Sequence, residues 1–359
     1  MSLKKLILAA LLGWSGAAFA QTPMTHAALQ AVNSTGYPPV AVTSFPFTIR
    51  GVLINNPEEM LDPTYDPLAT SMGYTGGVYQ VFFQAVEEGD RGGTALWMAQ
   101  NYEAMGAWVP PGNDYDTDWT NEMRRVMYDT NGRKFRKGDL IEVTARAAAF
   151  YNGKLNINEK HRITPANDFD IALVKANMGL PQAEALTLAD LKNPDDSAIF
   201  DAARTNGCEK WQGMRVRLDG IRLTNTNGWG KTNWADRICA VTDDTGRSFQ
   251  LRMPLTDLAP MPATSDVFSA TGILNQENSS TNGYELFVQE IGPVLDFDQR
   301  VGGAMAVSFS SDYEGYVLEA TDALESNTWF AVDLTPRKMI VIEDDGAPTS
   351  RVYRLRKAD

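Results

Sequence analysis

Asp114, Asp116 and Asp118 alternate along one short stretch, and Glu122 follows four residues after the last of them. Carboxylates at every second position of a loop supply the hard oxygens that Ca²⁺ takes at flexible geometry. This set is the strongest metal candidate in the chain, and Ca²⁺ is the one cofactor the sequence suggests. An EF-type loop also needs glycine at its sixth position and glutamate at its twelfth, where Trp119 and Arg125 stand. An acidic solvated loop is therefore the competing reading.

A second constellation interleaves Arg215, Arg217, Arg222, Lys231, Arg237, Arg247 and Arg252 with Trp211, Trp229, Trp234 and Phe249. Single-stranded nucleic acid is held by a basic groove whose aromatic side chains stack on bases, and a barrel of the oligonucleotide-binding kind takes oligosaccharides on the same face. Trp229 and Trp234 sit in the polar stretch Asn-Gly-Trp-Gly-Lys-Thr-Asn-Trp and are hard to bury. With Arg215, Arg217, Arg222 and Lys231 they are the expected ligand contacts. In the opposing reading Trp211 and Phe249 are core and the arginines occupy the solvent side of strands, which alternate faces.

Nucleophilic catalysis of the serine type needs a positioned imidazole, and the chain has two histidines, His26 and His161. No Gly-x-Ser-x-Gly elbow occurs. His161, between Lys160 and Arg162 at a strand end, reads as a surface residue. Scarce histidine argues against most metal-dependent nuclease chemistry, which leaves an all-carboxylate hydrolase as the residual catalytic reading. No enzyme is expected.

Stepping outward to the ends of the chain, Lys4 and Lys5 precede the apolar run Leu6–Leu12, and Ala18-Phe19-Ala20 offers a small-x-small cleavage site. Residues 1–20 read as a secretory signal cleaved near Ala20, placing the protein outside the cell, at its surface or in the periplasm. The apolar run is shorter than the roughly 20 residues a membrane span needs, and no later segment qualifies. Export leaves Cys208 and Cys239 two fates: one disulfide, or burial as small apolar residues. Two cysteines alone cannot make a structural zinc site. The net charge of −13 repels bulk polyanions. Acidic residues nevertheless dominate from Pro57 to Glu122, and basic ones from Arg133 to Arg162 and from Arg204 to Arg252.

The elements that would position these groups come in two copies. Asp139 opens Leu-Ile-Glu-Val-Thr-Ala, followed by Asn152-Gly153 and the alternating Leu155, Ile157 and Glu159; Asp266 opens Val-Phe-Ser-Ala-Thr-Gly, followed by Asn282-Gly283 and Leu286, Val288 and Glu290. Upstream, Phe47-Thr-Ile-Arg-Gly51 echoes Val216-Arg-Leu-Asp-Gly220, and a bulge or bend is expected at Gly51. Strands are expected at Tyr79–Val86, Thr94–Gln100, Ile238–Asp243 and Phe249–Met253, with a helix at Thr120–Tyr128 whose Met123, Val126 and Met127 share a face. Extra length in the first copy falls in loops near Leu61–Gly76 and Tyr102–Trp119.

This order of strands describes five-stranded barrels. Gly138-Asp139-Leu140-Ile141-Glu142-Val143 with Tyr151-Asn152-Gly153, and Leu186–Leu191 leading to Trp211-Gln212-Gly213-Met214-Arg215-Val216, resemble the OB-fold modules of secreted bacterial nucleases and other exported proteins. The second copy departs, with Ser265 in place of the glycine and a longer turn from Asn275 to Gly283. The resemblance implies a fold and a ligand-binding face, but no nuclease centre. Residues 298–359 are similar to the small β modules that end many secreted bacterial proteins.

The expected organisation is a signal peptide over 1–20, an extended leader over 21–44, a first OB-like module with acidic insertions over 45–164, a connector over 165–210, a second module over 211–297 and a C-terminal β-sandwich-like module over 298–359. The fold class is mainly β. The expected function is non-enzymatic binding of an extracellular polymer, either single-stranded nucleic acid or polysaccharide. A self-assembling structural subunit forming a homo-oligomer is the alternative.

Overall fold

The computed structural model describes residues 22–38, 45–60, 78–99, 115–158, 165–256, 258, 261–277, 281–293, 296–299, 305–308, 316–321, 328–332, 339–342 and 352–357. Strand outweighs helix, 44% to 13%, so the chain is mainly β. The signal-like segment, His161 and the loop Leu61–Gly76 lie outside the described residues.

The first module contains β1 (Thr22–Pro23), α1 (His26–Leu29), β2 (Phe47–Leu53), α2 (Pro57–Met60), β3 (Val78–Gln84), β4 (Gly93–Ala99), α3 (Tyr115–Met127), β5 (Leu140–Ala145), β6 (Ala148–Tyr151), β7 (Lys154–Asn158) and β8 (Asp170–Lys175). The second contains β9 (Glu184–Leu186), α4 (Gly207–Trp211), β10 (Arg215–Asn225), β11 (Ile238–Thr242), β12 (Ser248–Arg252), β13 (Phe268–Gln276) and β14 (Tyr284–Pro293). Beyond them β15 (Asp296–Gln299), β16 (Met305–Ser308) and β19 (Met339–Ile342) form one three-stranded sheet. Strands β17 (Tyr316–Thr321), β18 (Phe330–Ala331) and β20 (Val352–Lys357) form another.

In the second module β10 pairs with both β11 and β13, β12 runs parallel to β14, and β13 pairs with β14, which closes a five-stranded barrel. Val216, Leu218, Ile221, Leu223, Val241, Leu251 and Leu286 fill its interior. It is a packed core. The first module follows the same path, with β2, β3 and β4 in order and β4 parallel to β7. A second closed barrel was expected there, but the described strands do not close. A strand has only two edges, and those that would meet are taken: β5 pairs with β2 and β8, and β7 pairs with β4 and β6.

The repeated Asn-Gly is also used differently in the two copies. Asn152 and Gly153 have φ of 48° and 83° and make the two-residue turn from β6 to β7, the geometry Asn-Gly favours. The sequence pattern places this turn directly after the β5 run, whereas the fold inserts β6. In the second copy Asn282-Gly283 lies within the direct β13–β14 connection, where Glu277 N–H donates to the Gly283 carbonyl at 2.9 Å.

The repeated aspartate does the same work twice. Asp139 and Asp266 each accept the N–H of the residue three before, Arg136 at 2.8 Å and Ala263 at 2.9 Å, and each returns its own N–H to that residue's carbonyl. These reciprocal bonds close the turn that launches each strand. Asp139 additionally accepts the Arg133 guanidinium at 2.7 and 2.8 Å and Asn177 N–H at 2.9 Å. Burial pushes its carboxyl up, but these donors outweigh it and hold its pKa below the usual range.

The repeat also reaches beyond its expected limits. Strand β1 pairs parallel with the start of β2, Thr22 opposite Phe47, and β9 pairs parallel with the start of β10, Glu184 opposite Val216. A threonine follows each: Thr25 caps α1, and Thr187 bonds Asp190 around a single 3₁₀ turn. The segments expected as leader and connector thus carry strands of the two modules. Gly51 and Gly220 correspond but serve different needs. The β2–β5 register is unbroken at Gly51, where a Cβ would lie 2.9 Å from His26 Nε2; the bulge lies instead near Gly220, whose φ is 71°.

The modules meet through a third cluster, Ile54, Met60, Val78, Phe82 and Ala95 of the first against Ile273 and Phe287 of the second. Phe82 and Phe287 rings meet edge to face at 5.9 Å. At one end of the junction the backbones touch: a Cβ on Gly93 would lie 1.9 Å from the Gly213 carbonyl oxygen. Gly93→Ala is therefore expected to lower stability in urea unfolding by about 3 kcal/mol or more. Gly220→Ala, with open space around it and only a positive φ to strain, costs about 1 kcal/mol.

Candidate functional site

Burial alternates along β10, so Val216, Leu218, Ile221 and Leu223 point into the barrel and Arg215, Arg217 and Arg222 lie on its outer side. Two of those three cations are paired with carboxylates. Arg217 Nε bonds Asp219 Oδ1 at 2.7 Å, and Arg222 pairs with Asp244. Arg215 Nη1 donates to the Pro181 carbonyl at 3.3 Å, and Glu290 and Glu59 bring negative charge to it. With Arg217 and Arg222 paired in this way, the outer side of β10 offers no continuous cationic groove.

The loop from Thr226 to Asp236 joins β10 to β11. Asn225 and Asn233 fold it locally by accepting the N–H groups of Asn227 and Ala235 at 2.9 and 3.0 Å. The two tryptophans expected at its surface are half-buried. Trp229 packs on the interior cluster of the second barrel, whereas Trp234 packs at the module junction, edge to face with Phe287 at 5.4 Å. Arg252 lies over the Trp234 ring at 5.2 Å, which covers a face that would otherwise be free to stack. Asn227 before them and Gly230, Lys231, Thr232 and Asn233 between them are exposed. Trp229 and Trp234 thus flank Lys231 along the loop but pack on different clusters, while Arg217 and Arg222 stay with Asp219 and Asp244.

The calcium candidates are distributed differently from the expectation of a loop. Asp114 lies outside the described residues, and Asp116 and Asp118 fall within α3, which starts a turn earlier than its sequence suggests. Glu122 is buried against Arg125, 2.7 Å away. Among the described residues no group of three or more His, Cys, Asp and Glu side chains could hold a metal. Cys208 and Cys239 are free, buried thiols rather than a disulfide. Cys208 Sγ lies 3.3 Å from the Leu191 carbonyl, and burial pushes its pKa up. An open groove of about 1020 Å³ runs beside α3, lined by Met123, Met127, Tyr128, Asp129, Asp170 and Ile171. No helix among the described residues is long and apolar enough to cross a membrane.

Sequence reasoning missed the most elaborate polar cluster. His26, assigned to the leader, is fully buried. Its Nε2 lies 3.0 Å from the Arg50 carbonyl and its Nδ1 2.9 Å from Thr94 Oγ1. A carbonyl only accepts, so Nε2 carries the proton and Nδ1 accepts from the threonine hydroxyl. Asp90 accepts the backbone N–H groups of His26 and Ala27 at 2.9 and 3.0 Å. Close by in charge terms, Arg204 Nε donates to the Glu209 carbonyl at 2.8 Å, and Tyr284 Oη donates to the buried Glu209 carboxylate at 2.6 Å. Burial pushes the Glu209 carboxyl up. The signal available in the sequence was Gly-Asp-Arg-Gly-Gly at 89–93, whose Asp90 and paired glycines anchor α1 and admit the second module.

Further along the junction Arg252 grips Glu285 at 2.5 and 2.9 Å with both side chains nearly inaccessible, and Lys154 bonds Glu277 at 3.0 Å. Burial pushes the Glu285 carboxyl up, and the guanidinium fork pulls it back. Chemically these are satisfied pairs without an open position beside them. Comparison with protein-family models, curated proteins and solved structures gives no match to this chain.

Burial pushes His26 down to about 4 from an ordinary 6.5, although Asp90 opposes the shift. The unfolded chain therefore binds a proton that the folded one refuses between those two values, and stability falls as pH drops from about 6.5 to about 4. At most about 3 kcal/mol is involved. Glu209, raised by burial, gives the opposite slope above its ordinary range, so the difference between wild type and His26→Gln isolates the histidine. Urea unfolding across this window is expected to give a shallower pH slope for the variant.

Proposed function

We propose that this is an exported, non-enzymatic protein that binds an uncharged extracellular polysaccharide through the Thr226–Asp236 loop of its closed barrel. The observation that carries the reading is the composition of that loop: two half-buried tryptophans anchor it, Thr232 and Asn233 lie exposed between them with Lys231, and Asn227 lies exposed just before the first. Sugars are recognised by aromatic surfaces together with neutral hydrogen-bonding groups. Barrels with this strand order hold oligosaccharides or oligonucleotides at the loop between their first two strands. A polyanion needs cations, and two of the β10 arginines, Arg217 and Arg222, are already matched by Asp219 and Asp244. With a net charge of −13 the chain favours a neutral polymer over nucleic acid.

The packed interior of the barrel supports contact through its outer surface. Affinity electrophoresis in gels containing soluble β-glucan or dextran, with single-stranded DNA as the polyanion control, tests this. Retardation by a neutral glycan is expected to persist in high salt. It should weaken at least tenfold when Asn227→Ala and Thr232→Ala are combined, with an unchanged thermal midpoint. Binding confined to DNA and abolished by salt would contradict the reading.

A further inference from the structure

The sheet of the first module ends in β8, and among the described residues no backbone group bonds to its outer edge. Unpaired edges of this kind are templates for another strand. Ala172, Val174 and Lys175 are exposed, with Val174 45% accessible. Its register against β5 runs Thr144 to Asp170, Glu142 to Ala172, Ile141 to Leu173 and then Leu140 to Lys175, so Val174 is bulged. The bulge has a consequence. Lys175, five residues from Asp170, would stand on the opposite face of a regular strand; the extra residue brings it to the face of Asp170 and Ala172.

That face therefore reads acid, alanine, base in order along the strand. Such a pattern complements itself only antiparallel. We propose that two copies of this chain pair through β8, antiparallel about a two-fold axis at Ala172, with Asp170 of each copy opposite Lys175 of the other. Counting the bulged Val174 and Lys175 as one position, as β5 does, Ile171 then faces Leu173 of the second copy and Ala172 faces its own equivalent. Every pair is thus of compatible size and charge. An isologous contact of this kind closes with two copies rather than growing into a fibre. Arg146 holds Asp170 at 2.6 Å, and the Asp170 side chain is still 58% exposed, open to a second cation. A lysine and a bulge at a free edge ordinarily discourage pairing; here the acid at the far end gives that lysine a partner in this register alone.

The proposal is independent of glycan binding and is tested by a charge exchange in the full chain. Sedimentation equilibrium is expected to show a monomer–dimer equilibrium for wild type. Asp170→Lys places two lysines opposite each other, and Lys175→Asp places two aspartates, so each variant alone should associate at least tenfold more weakly. Mixed in equal amounts the two restore both opposite-charge pairs, and dimers should return. Circular dichroism of each variant checks that it remains folded. Wild-type protein that stays monomeric up to about millimolar concentration, single variants that dimerise as well as wild type, or a mixture that stays monomeric would each overturn the pairing.

Discussion

Charge buried between two β modules has to find its counter-charge within the junction, because an unpartnered ion removed from water costs several kcal/mol. Strands β3 and β13 are buried along their whole length on both faces, one toward their own core and one toward the other module. The second face is unusually polar for an interior. Gln84 accepts Arg215 N–H at 2.8 Å, Gln212 donates to the Gly153 carbonyl at 3.1 Å, and Lys154 donates to the Gln276 carbonyl at 2.8 Å. Because each of these bonds crosses from one module to the other, neither module can present this face to water without breaking them. Arg252 and Glu285 belong to one module and form a nearly inaccessible pair, with Arg252 over the Trp234 ring that packs on Phe287. The junction is what makes the two repeats a single structure.

The two modules share parts and use them differently. Both copies keep the aspartate turn, the parallel strand before the first barrel strand and the parallel pairing of third and fifth strands. The first copy inserted β6 between its last two barrel strands and so exchanged closure for two edges. The second stayed closed, which fixes its first loop on a rigid frame.

Much of this frame was legible in the chain. The alternation of Leu140 to Ala145, the echo of Phe47–Gly51 in Val216–Gly220 and the shared face of Met123, Val126 and Met127 all correspond to elements in place, because period and turn chemistry are local properties. What escaped depends on distance along the chain. His26 lies among prolines and small polar residues that suggest no structure, and its side-chain partner Thr94 is in another strand. Likewise Trp229 and Trp234 read as exposed because their neighbours are polar, whereas the surfaces that receive them come from the barrel core and from β14. The arginines of β10 were correctly placed on the outer side, but Asp244, which occupies Arg222, arrives from the β11–β12 turn. The aspartate that opens each repeated strand marked the repeat in the sequence, and in the structure it closes a turn.

A buried seam shared by both modules predicts one unfolding unit. Native-state hydrogen exchange, read amide by amide as denaturant rises, measures this directly. The account predicts that the amides of β3 in the first module and β13 in the second converge on the same opening free energy and the same denaturant dependence. If β13 remained protected under conditions where β3 exchanged through a separate, smaller opening, the modules would be independent and the seam would not be the constraint on which the structure depends.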